Sequence, residues 1–278
     1  MNAPRTYLFV PGNRPERFGK ALLSGADAVV LDLEDAVSAD AKSAARHAIA
    51  GWLPTVAERQ RVVLRINDAA SAHFADDLRL CAEVGIGQLM LPKTETPQQL
   101  AAVRAVVPAV LVLALVETAR GIANAQTLAA CAGVTRLVFG TLDFALDLEL
   151  DISEQFDALS HGAGCLGIAS RLAGLPTPVA GVTPQIDDTA RLAADLAWER
   201  RHGFGAKLCI HPRQIEPVHA ALAPSAEAVA WAHRVLAAEA ASPGAARLDG
   251  RMIDRPVVLQ AERTLQRAGV HSLGRMGA

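Results

Sequence analysis

The pattern of apolar and polar positions divides this chain into two kinds of segment. Short apolar runs of strand length, rich in β-branched residues, are separated by longer Ala-, Leu- and Arg-rich stretches of helical character. This alternation predicts a parallel sheet covered by helices. The apolar runs number eight and cover residues 6–10, 28–33, 62–66, 88–91, 110–116, 136–139, 178–182 and 206–210. Eight such units predict an α/β fold, a single parallel (β/α)8 TIM barrel closed by its first and last strands.

The predicted helices lie between these runs and continue beyond the last one. Within the barrel they cover residues 15–24, 39–53, 72–84, 97–106, 122–132, 163–172 and 187–202, with an irregular stretch before the sixth. Two further helices are predicted, over 224–242 and up to about Ala268. We therefore expect a barrel domain at 1–222 and a C-terminal helical extension at 223–278, which would pack on a neighbouring subunit.

The composition narrows the class of protein. Of 278 residues, 51% are hydrophobic and 20% are charged, which suits a large folded core. A net charge of −2 argues against the basic surface that nucleic acid binding requires. No signal peptide or apolar run of about 18 residues is present, so no membrane partner is expected. Four cysteines without a Cys-x-x-Cys pair, Cys81, Cys131, Cys165 and Cys209, agree with a cytoplasmic protein.

Polar residues follow nearly every predicted strand. In a parallel barrel the carboxyl ends of the strands converge on one rim, where active sites are built. The first turn lacks the G-x-G-x-x-G fingerprint of a doubly wound dinucleotide-binding sheet. The rim is predicted to carry Asn13, Arg14, Glu34, Asp35, Arg65, Asn67, Lys93, Glu117, Asp143, Thr183 and His211.

Glu117 and Asp143 come after two consecutive predicted strands. Their carboxylates could meet at the rim and share one Mg²⁺, which usually takes only one or two protein carboxylates and completes its octahedron with water and substrate oxygens. Position alone leaves a second interpretation open, in which each acid pairs with a nearby arginine, for instance Glu117 with Arg120.

Arg65 is a charged residue inside an otherwise apolar strand. A buried guanidinium is costly unless an anion meets it, and its planar fork matches a substrate carboxylate. Pairing with Glu34 or Asp35 is the alternative. These two acids and Asp32 are crowded at the end of the second strand, where we expect them to support the metal or Arg65. A helix N-cap by Asp35 or Ser38 is the alternative, and the two roles are compatible.

Positive charge is concentrated at the start of the first predicted helix. Arg14, Arg17 and Lys20 follow the first strand and could bind a phosphate or carboxylate at the rim. A solvated helix face is an equally good interpretation of these three residues.

Six motifs occur in the order of a known family. They are Arg5 to Gly12, Leu31 to Val37, Leu64 to Asn67, Val116 to Gly121, Phe139 to Asp143 and Lys207 to Pro212. Together they resemble the citrate lyase β-subunit family of the HpcH/HpaI aldolase/citrate lyase superfamily, over nearly the whole chain. The resemblance implies a barrel that assembles as a homotrimer or hexamer. It also implies Mg²⁺ on Glu117 and Asp143, and a substrate carboxylate on Arg65.

The resemblance also gives the C-terminal tail a role. Family members carry an aspartate in a Gly-x-Met-Ile-Asp segment that reaches the active site of a neighbouring subunit, and Asp254 matches it. A turn or cap before Pro256 is the alternative interpretation of Asp254. Basic residues of the first loop and helix bind the thioester in related members, which implies Arg14 and Lys20 here.

The function implied by the resemblance is Mg²⁺-dependent carbon–carbon bond cleavage. The substrate would be a 3-hydroxyacyl thioester such as citryl-, malyl- or citramalyl-CoA, and the products an acyl-CoA and an oxo acid. Two alternatives are a β subunit acting on a carrier-protein thioester within a citrate lyase complex, and a non-catalytic thioester-binding homologue. The chain departs from the family pattern at Ala180, where relatives have an aspartate, and over 159–166, which lacks an Arg-Ser pair.

Overall fold

The eight apolar runs form the strands of one closed parallel barrel, as predicted. In the computed structural model, which describes residues 3–153, 156–242, 244 and 246–269, each strand pairs with the next and β8 pairs with β1. The strands are β1 (Thr6–Pro11), β2 (Ala28–Asp32), β3 (Val62–Arg65), β4 (Gln88–Leu91), β5 (Leu111–Val116), β6 (Val134–Phe139), β7 (Val179–Ala180) and β8 (Ala206–Cys209).

Helices follow the strands around the outside of this barrel. They are α1 (Pro15–Leu22), α2 (Lys42–Trp52), α3 (Phe74–Val84), α4 (Pro97–Val106), α5 (Ala119–Ala123), α6 (Ala125–Ala129), α7 (Thr141–Asp147), α8 (Ser160–Leu172), α9 (Thr189–Arg201) and α10 (Ile215–Leu222). The helix predicted over 122–132 is two short helices, separated at Asn124. Helices α7 and α10 were not predicted, because seven or eight residues hold too few turns for a 3.6-residue period to stand out.

The interior of the barrel is filled by alternate residues of its strands. Val63 of β3 and the pair Leu113 and Leu115 of β5 belong to this buried cluster. Successive side chains of a strand point to opposite faces. The same alternation therefore brings Arg65 and Glu117, each two residues beyond an inward-facing one, to the interior side of the carboxyl-end rim.

The chain divides into two compact units, Met1–His219 and Ala220–Ala278. The second contains α11 (Ala226–Ala241), a hairpin of β9 (Arg247–Leu248) and β10 (Arg251–Met252), and α12 (Arg255–Arg267). It has an apolar cluster of its own, built from Ala232, Val235, Ala246, Ile253, Val258, Ala261 and Leu265. The predicted helical extension is thus helical in the part that the structure describes.

The expectations about membrane spans and about cysteines can be compared with the described residues. No helix there is both long enough and apolar enough to cross a membrane. The four cysteines are free thiols, and burial raises the pKa of Cys81 and of Cys209 to about 12. These two thiols therefore stay protonated at neutral pH.

Candidate active site

Arg65 is held at the rim by the acids of the second strand and its loop. Register places Asp32 of β2 directly beside Arg65 of β3. Nε and Nη2 of Arg65 donate to the two carboxylate oxygens of Asp32 at 2.7 and 2.6 Å. Nη1 lies 2.9 Å from Glu34 Oε2 and 3.5 Å from Asp35 Oδ2. Burial alone would lower the pKa of Arg65, but these acids raise it above its usual value, so the guanidinium is a permanent cation.

The alternative pairing of Arg65 with Glu34 and Asp35 is therefore present, and Asp32 is a third partner. A guanidinium has five N–H donors, and these contacts occupy only part of them. Its carbon lies 4.8 Å from the centroid of the Phe9 ring, which fixes one face by a cation–π contact. Arg65 is thus oriented in advance, with donors left for a further anion.

The loop after β2 is rigidly held. Asp32 accepts from the backbone N–H groups of Glu34 and Ala36 at 2.9 and 3.1 Å. The buried ammonium of Lys42 donates to the carbonyl oxygens of Leu33 and Glu34 at 2.8 and 2.9 Å. Charge-assisted hydrogen bonds of this kind fix the loop from both sides. Glu34 therefore has a defined position facing Arg65.

Glu117 is almost completely buried at the end of β5. The backbone N–H of Lys93 donates to its Oε1 at 2.8 Å. On the other side it lies against Gly140, where a Cβ atom would overlap Glu117 Oε2. Burial, with contributions from Glu34 and Asp143, raises the pKa of Glu117 to about 8. A buried carboxylate of this kind is charged at neutral pH only when a cation is close.

Asp143 lies on α7 and not at a strand end, which corrects the local prediction. It belongs to the first turn of the helix that begins directly after Gly140. The ammonium of Lys93 lies 3.8 Å from Asp143 Oδ2 and 2.9 Å from Glu34 Oε1. The two carboxylates predicted to share a metal are thus both adjacent to Lys93. The predicted alternative pairing of Glu117 with Arg120 is not what forms, because Arg120 lies 3.7 Å from Glu95.

Acids outnumber cations in this cluster. Burial raises the pKa of Glu34 to about 7, against the lowering effect of Arg65 and Lys93. The contacts join Arg65 and Lys93 to five acids, Asp32, Glu34, Asp35, Glu117 and Asp143. Even with Glu34 and Glu117 protonated, as their raised pKa values allow, three carboxylates face two positive charges, and a further cation would favour ionisation of all five acids.

The residues present fit a divalent metal. Glu117 and Asp143 supply two carboxylates, which is the number that Mg²⁺ usually takes from a protein. In the described ranges no set of three His, Cys, Asp or Glu residues is placed to hold a metal, so water and ligand oxygens would complete the coordination. Thr141, two residues before Asp143, has a buried hydroxyl without a hydrogen-bond partner among the described residues.

The residues predicted to bind the thioester, Arg14 and Lys20, and the predicted tail residue Asp254 are exposed. Arg14 lies at the rim, in the turn between β1 and α1, and Lys20 lies in the last turn of α1. Asp254 belongs to the second unit, where its side chain caps α12 by accepting from Val257 N at 3.2 Å. The cap interpretation of Asp254 is therefore present in the structure. Its action in the site of a neighbouring copy, and thioester binding by Arg14 and Lys20, stay predictions.

The structure locates both departures from the family pattern. Val179 points into the barrel, so Ala180 points outwards, where its register partner is Lys207. Gly162, within the departure at 159–166, packs against the ring of Phe139, and a Cβ there would lie 3.0 Å from Phe139 Cζ. A side chain at this position would require the neighbouring phenylalanine rings to shift by a few tenths of an ångström.

Sequence reasoning included Lys93 among the rim residues but gave it no role. Its signal in the sequence was a charged residue that follows the apolar strand β4 after a single proline, Pro92. What the sequence could not indicate is its backbone conformation, with φ at +46°. Only the folded chain shows that one lysine contacts acids from three different segments.

A closed parallel barrel that gathers carboxylates and an arginine at its carboxyl-end rim has the architecture of a barrel enzyme. The family model described as HpcH/HpaI aldolase/citrate lyase matches residues 5–212, and a second, C-C_Bond_Lyase of the TIM-Barrel fold, matches 152–273. The chain belongs to the HpcH/HpaI aldolase/citrate lyase family.

Three relatives illustrate the similarity. A citrate lyase subunit beta-like protein of Mycobacterium tuberculosis is 38% identical over 268 residues, 95% of each chain. A (3S)-malyl-CoA thioesterase of Cereibacter sphaeroides is 34% identical over 269 residues, 95% of this chain and 94% of the relative. The crystal structure of the M. tuberculosis protein CitE in complex with magnesium, acetoacetate and coenzyme A has a TM-score of 0.86 and 37% identity, covering 96% of this chain and 98% of that one.

Proposed function

We propose that this protein is a Mg²⁺-dependent lyase that cleaves a carbon–carbon bond in a 3-hydroxyacyl-CoA of the citryl-, malyl- or citramalyl-CoA type. The observation that carries the proposal is the surplus of carboxylates around Glu117 and Asp143, beside an arginine with free donors. The similarity to a protein with bound magnesium, acetoacetate and coenzyme A supports the same ligand classes here.

Arg65 would bind the carboxylate of the departing oxo acid. Its contacts with Asp32 and Phe9 keep the guanidinium still, which lowers the entropic cost of binding the anion in one orientation. Glu117 and Asp143 would hold Mg²⁺, which supplies Lewis-acid polarisation of the substrate oxygens when bound. The buried position of Glu117 excludes water from one side of the reacting group.

Cleavage requires two proton transfers. A base takes the hydroxyl proton while the carbon–carbon bond breaks, and the thioester carbon then receives a proton from an acid. We assign the second transfer to Asp254 of a neighbouring copy, with Arg14 and Lys20 as contacts for the thioester carrier. A homotrimer or hexamer would bring this residue to each site, and sedimentation measurements would show whether the chain assembles so. A cytoplasmic location is part of the same proposal.

The test is a coupled assay of the purified protein with malyl-, citramalyl- and citryl-CoA, with and without Mg²⁺. We expect oxo acid to appear with one of them, only with the metal, and not with Glu117→Ala. Release that persists after removal of both the metal and Glu117 would contradict the mechanism. Folding of Glu117→Ala is checked by its circular dichroism spectrum.

Thioester hydrolysis is a second candidate, favoured by the 34% identity to the (3S)-malyl-CoA thioesterase. The products distinguish the two reactions. Cleavage of the carbon–carbon bond releases an oxo acid and leaves the thioester intact, whereas hydrolysis releases a free thiol and no oxo acid. A carrier-protein thioester that is turned over when the CoA esters are not would favour the β-subunit alternative. Binding of all these thioesters without turnover would favour the non-catalytic one.

A further inference from the structure

Lys93 has a backbone conformation that is unusual for a lysine. Its φ of +46° lies in the left-handed region, where side chains other than glycine are disfavoured. The other non-glycine residues with positive φ in the described ranges, Glu149 and Asp249, are exposed, whereas Lys93 lies at the rim of the barrel. A strained residue persists where the surrounding structure holds it, and such residues concentrate at functional sites.

This conformation lets one residue make two kinds of contact. The backbone N–H of Lys93 donates to Glu117 Oε1 at 2.8 Å. Its carbonyl oxygen accepts from Gln99 Nε2 at 3.0 Å, which fixes the turn. The side chain extends in another direction, to Glu34 at 2.9 Å and Asp143 at 3.8 Å. The backbone thus positions one carboxylate of the site, while the ammonium neutralises two others.

The ammonium is not locked in place. The side chain of Lys93 is 41% exposed, in contrast to 7% for Glu34. A lysine is a point charge on a flexible stem, so it can leave its partners without moving the backbone. The N–H of Lys93 would continue to hold Glu117 after such a movement.

We propose that the Lys93 ammonium, which contacts Asp143 and Glu34, is the cation beside this site when no metal is bound, and is displaced from Asp143 when a divalent cation binds to Glu117 and Asp143. The inference rests on the proposed function only for the presence of that metal site. It makes Lys93 a positioning residue through its backbone and a competitor of the metal through its side chain.

Removal of the Lys93 side-chain charge should change the affinity for Mg²⁺ in a direction that tests this proposal. If the ammonium competes with the metal, removing its charge must strengthen metal binding, because like charges no longer repel. If Lys93 only supports the carboxylates, removing its side chain must weaken metal binding, because the ligands lose their order. The two interpretations therefore predict opposite changes in the dissociation constant.

The experiment is isothermal titration of the full-length protein with MgCl₂ alone, without thioester. We expect Lys93→Met to bind Mg²⁺ at least about tenfold more tightly than the wild type, since a single charge about 4 Å from a divalent cation is repelled by more than this factor even in water. Lys93→Gly should do the same without the backbone strain. Lys93→Arg, which keeps the charge, should show no such gain. Arg79→Met, which removes an exposed positive charge paired with Asp76, controls for net charge.

Thermal unfolding gives a second readout. Without metal, Lys93→Met leaves Glu34 and Asp143 without their common cation, so its Tm should fall below that of Arg79→Met. Saturating Mg²⁺ should then raise the Tm of Lys93→Met by more than that of the wild type. Unchanged or weaker Mg²⁺ binding by both Lys93→Met and Lys93→Gly would overturn the proposal. So would Mg²⁺ binding that survives Glu117→Gln. A lack of lyase activity would overturn only the proposed function, because no thioester enters this test.

Discussion

Two Lys–Glu pairs in this barrel have opposite characters. Lys207 of β8 and Glu199 of α9 pair between the barrel and its outer helix, with side chains that are 1% and 5% exposed. Lys93 and Glu34 pair at the rim, where the lysine is partly open to solvent. The same two residue types thus occur once in a dry interior and once beside a predicted ligand site.

The charges balance around the interior pair. Lys207 also donates to Gly181 O at 3.0 Å. The adjacent Asp195 is paired with Arg191 at 2.7 Å and accepts from Thr183 at 2.7 Å. Two cations therefore meet two acids, and their remaining hydrogen-bonding groups are satisfied from within. A pair of this kind holds α9 to the barrel and leaves no room for an added ion.

Around the rim pair, acidic side chains outnumber basic ones. Lys93 and Arg65 face five carboxylates, and the side chain of Lys93 can leave. The comparison shows that a buried Lys–Glu contact does not by itself indicate function. The charge balance around the pair and the freedom of the lysine separate a structural pair from a cation site.

The largest expected effect is a loss of lyase activity at the rim site, where acids outnumber cations. Glu117→Gln keeps the shape of the side chain and removes its charge, so we expect the lyase rate to fall on the order of 10⁴-fold, because several kcal/mol of metal-dependent stabilisation are lost. Steady-state kinetics with Mg²⁺ and the active thioester would measure the change. A rate within about tenfold of wild type would show that the acid surplus serves another purpose.

The interior pair should respond in stability and not in metal binding. Lys207→Met leaves the buried Glu199 without its partner, which costs about 3–5 kcal/mol of the free energy of unfolding. The double variant Lys207→Met with Glu199→Leu should regain most of this loss, because no charge remains unpaired. Denaturant unfolding gives both values. Equal stability of the single and double variants would mean that Lys207 and Glu199 do not form the buried ion pair described here.

Arg65 tests whether the rim needs geometry as well as charge. Arg65→Lys keeps the positive charge but loses the fork that holds Asp32 and leaves donors for an anion. We expect kcat/KM to fall about 10²-fold, mainly through KM, while Mg²⁺ binding changes little. An unaffected KM would argue that the substrate carboxylate binds elsewhere.

The last prediction concerns the pH dependence of thermal stability. Burial raises the pKa of Glu117 from 4.5 to about 8, so the folded protein binds this proton more tightly than the unfolded chain does. Its contribution to stability is complete below pH 4.5 and is lost as the pH rises through 8. In metal-free buffer, the Tm of the wild type should therefore fall relative to that of Glu117→Gln between these values, by roughly 2–4 °C for each kcal/mol of stability that is lost. Parallel Tm curves would contradict the raised pKa.

The sequence by itself determined the barrel fold and the face of the sheet to which the side chains of Arg65 and Glu117 point. Eight apolar runs with intervening helices allow few folds other than a closed parallel sheet, and the structure has all eight strands. Alternation within a strand is local, so Val63 predicts the side of the barrel on which Arg65 lies, and Leu115 predicts that of Glu117. These features could be predicted because they depend on residues close together in the chain.

Only the tertiary structure decided how the acids share their cations. Asp32 rather than Glu34 or Asp35 is the main partner of Arg65, because strand register sets the two side by side. Asp143 lies on a short helix whose position depends on Gly140 and Glu117 meeting closely. Lys93 joins the loop after β2, the residue that follows β5, and α7 through a left-handed backbone conformation that no local pattern encodes. Register, close packing and backbone strain arise from contacts between distant segments, so they exist only once the chain has folded.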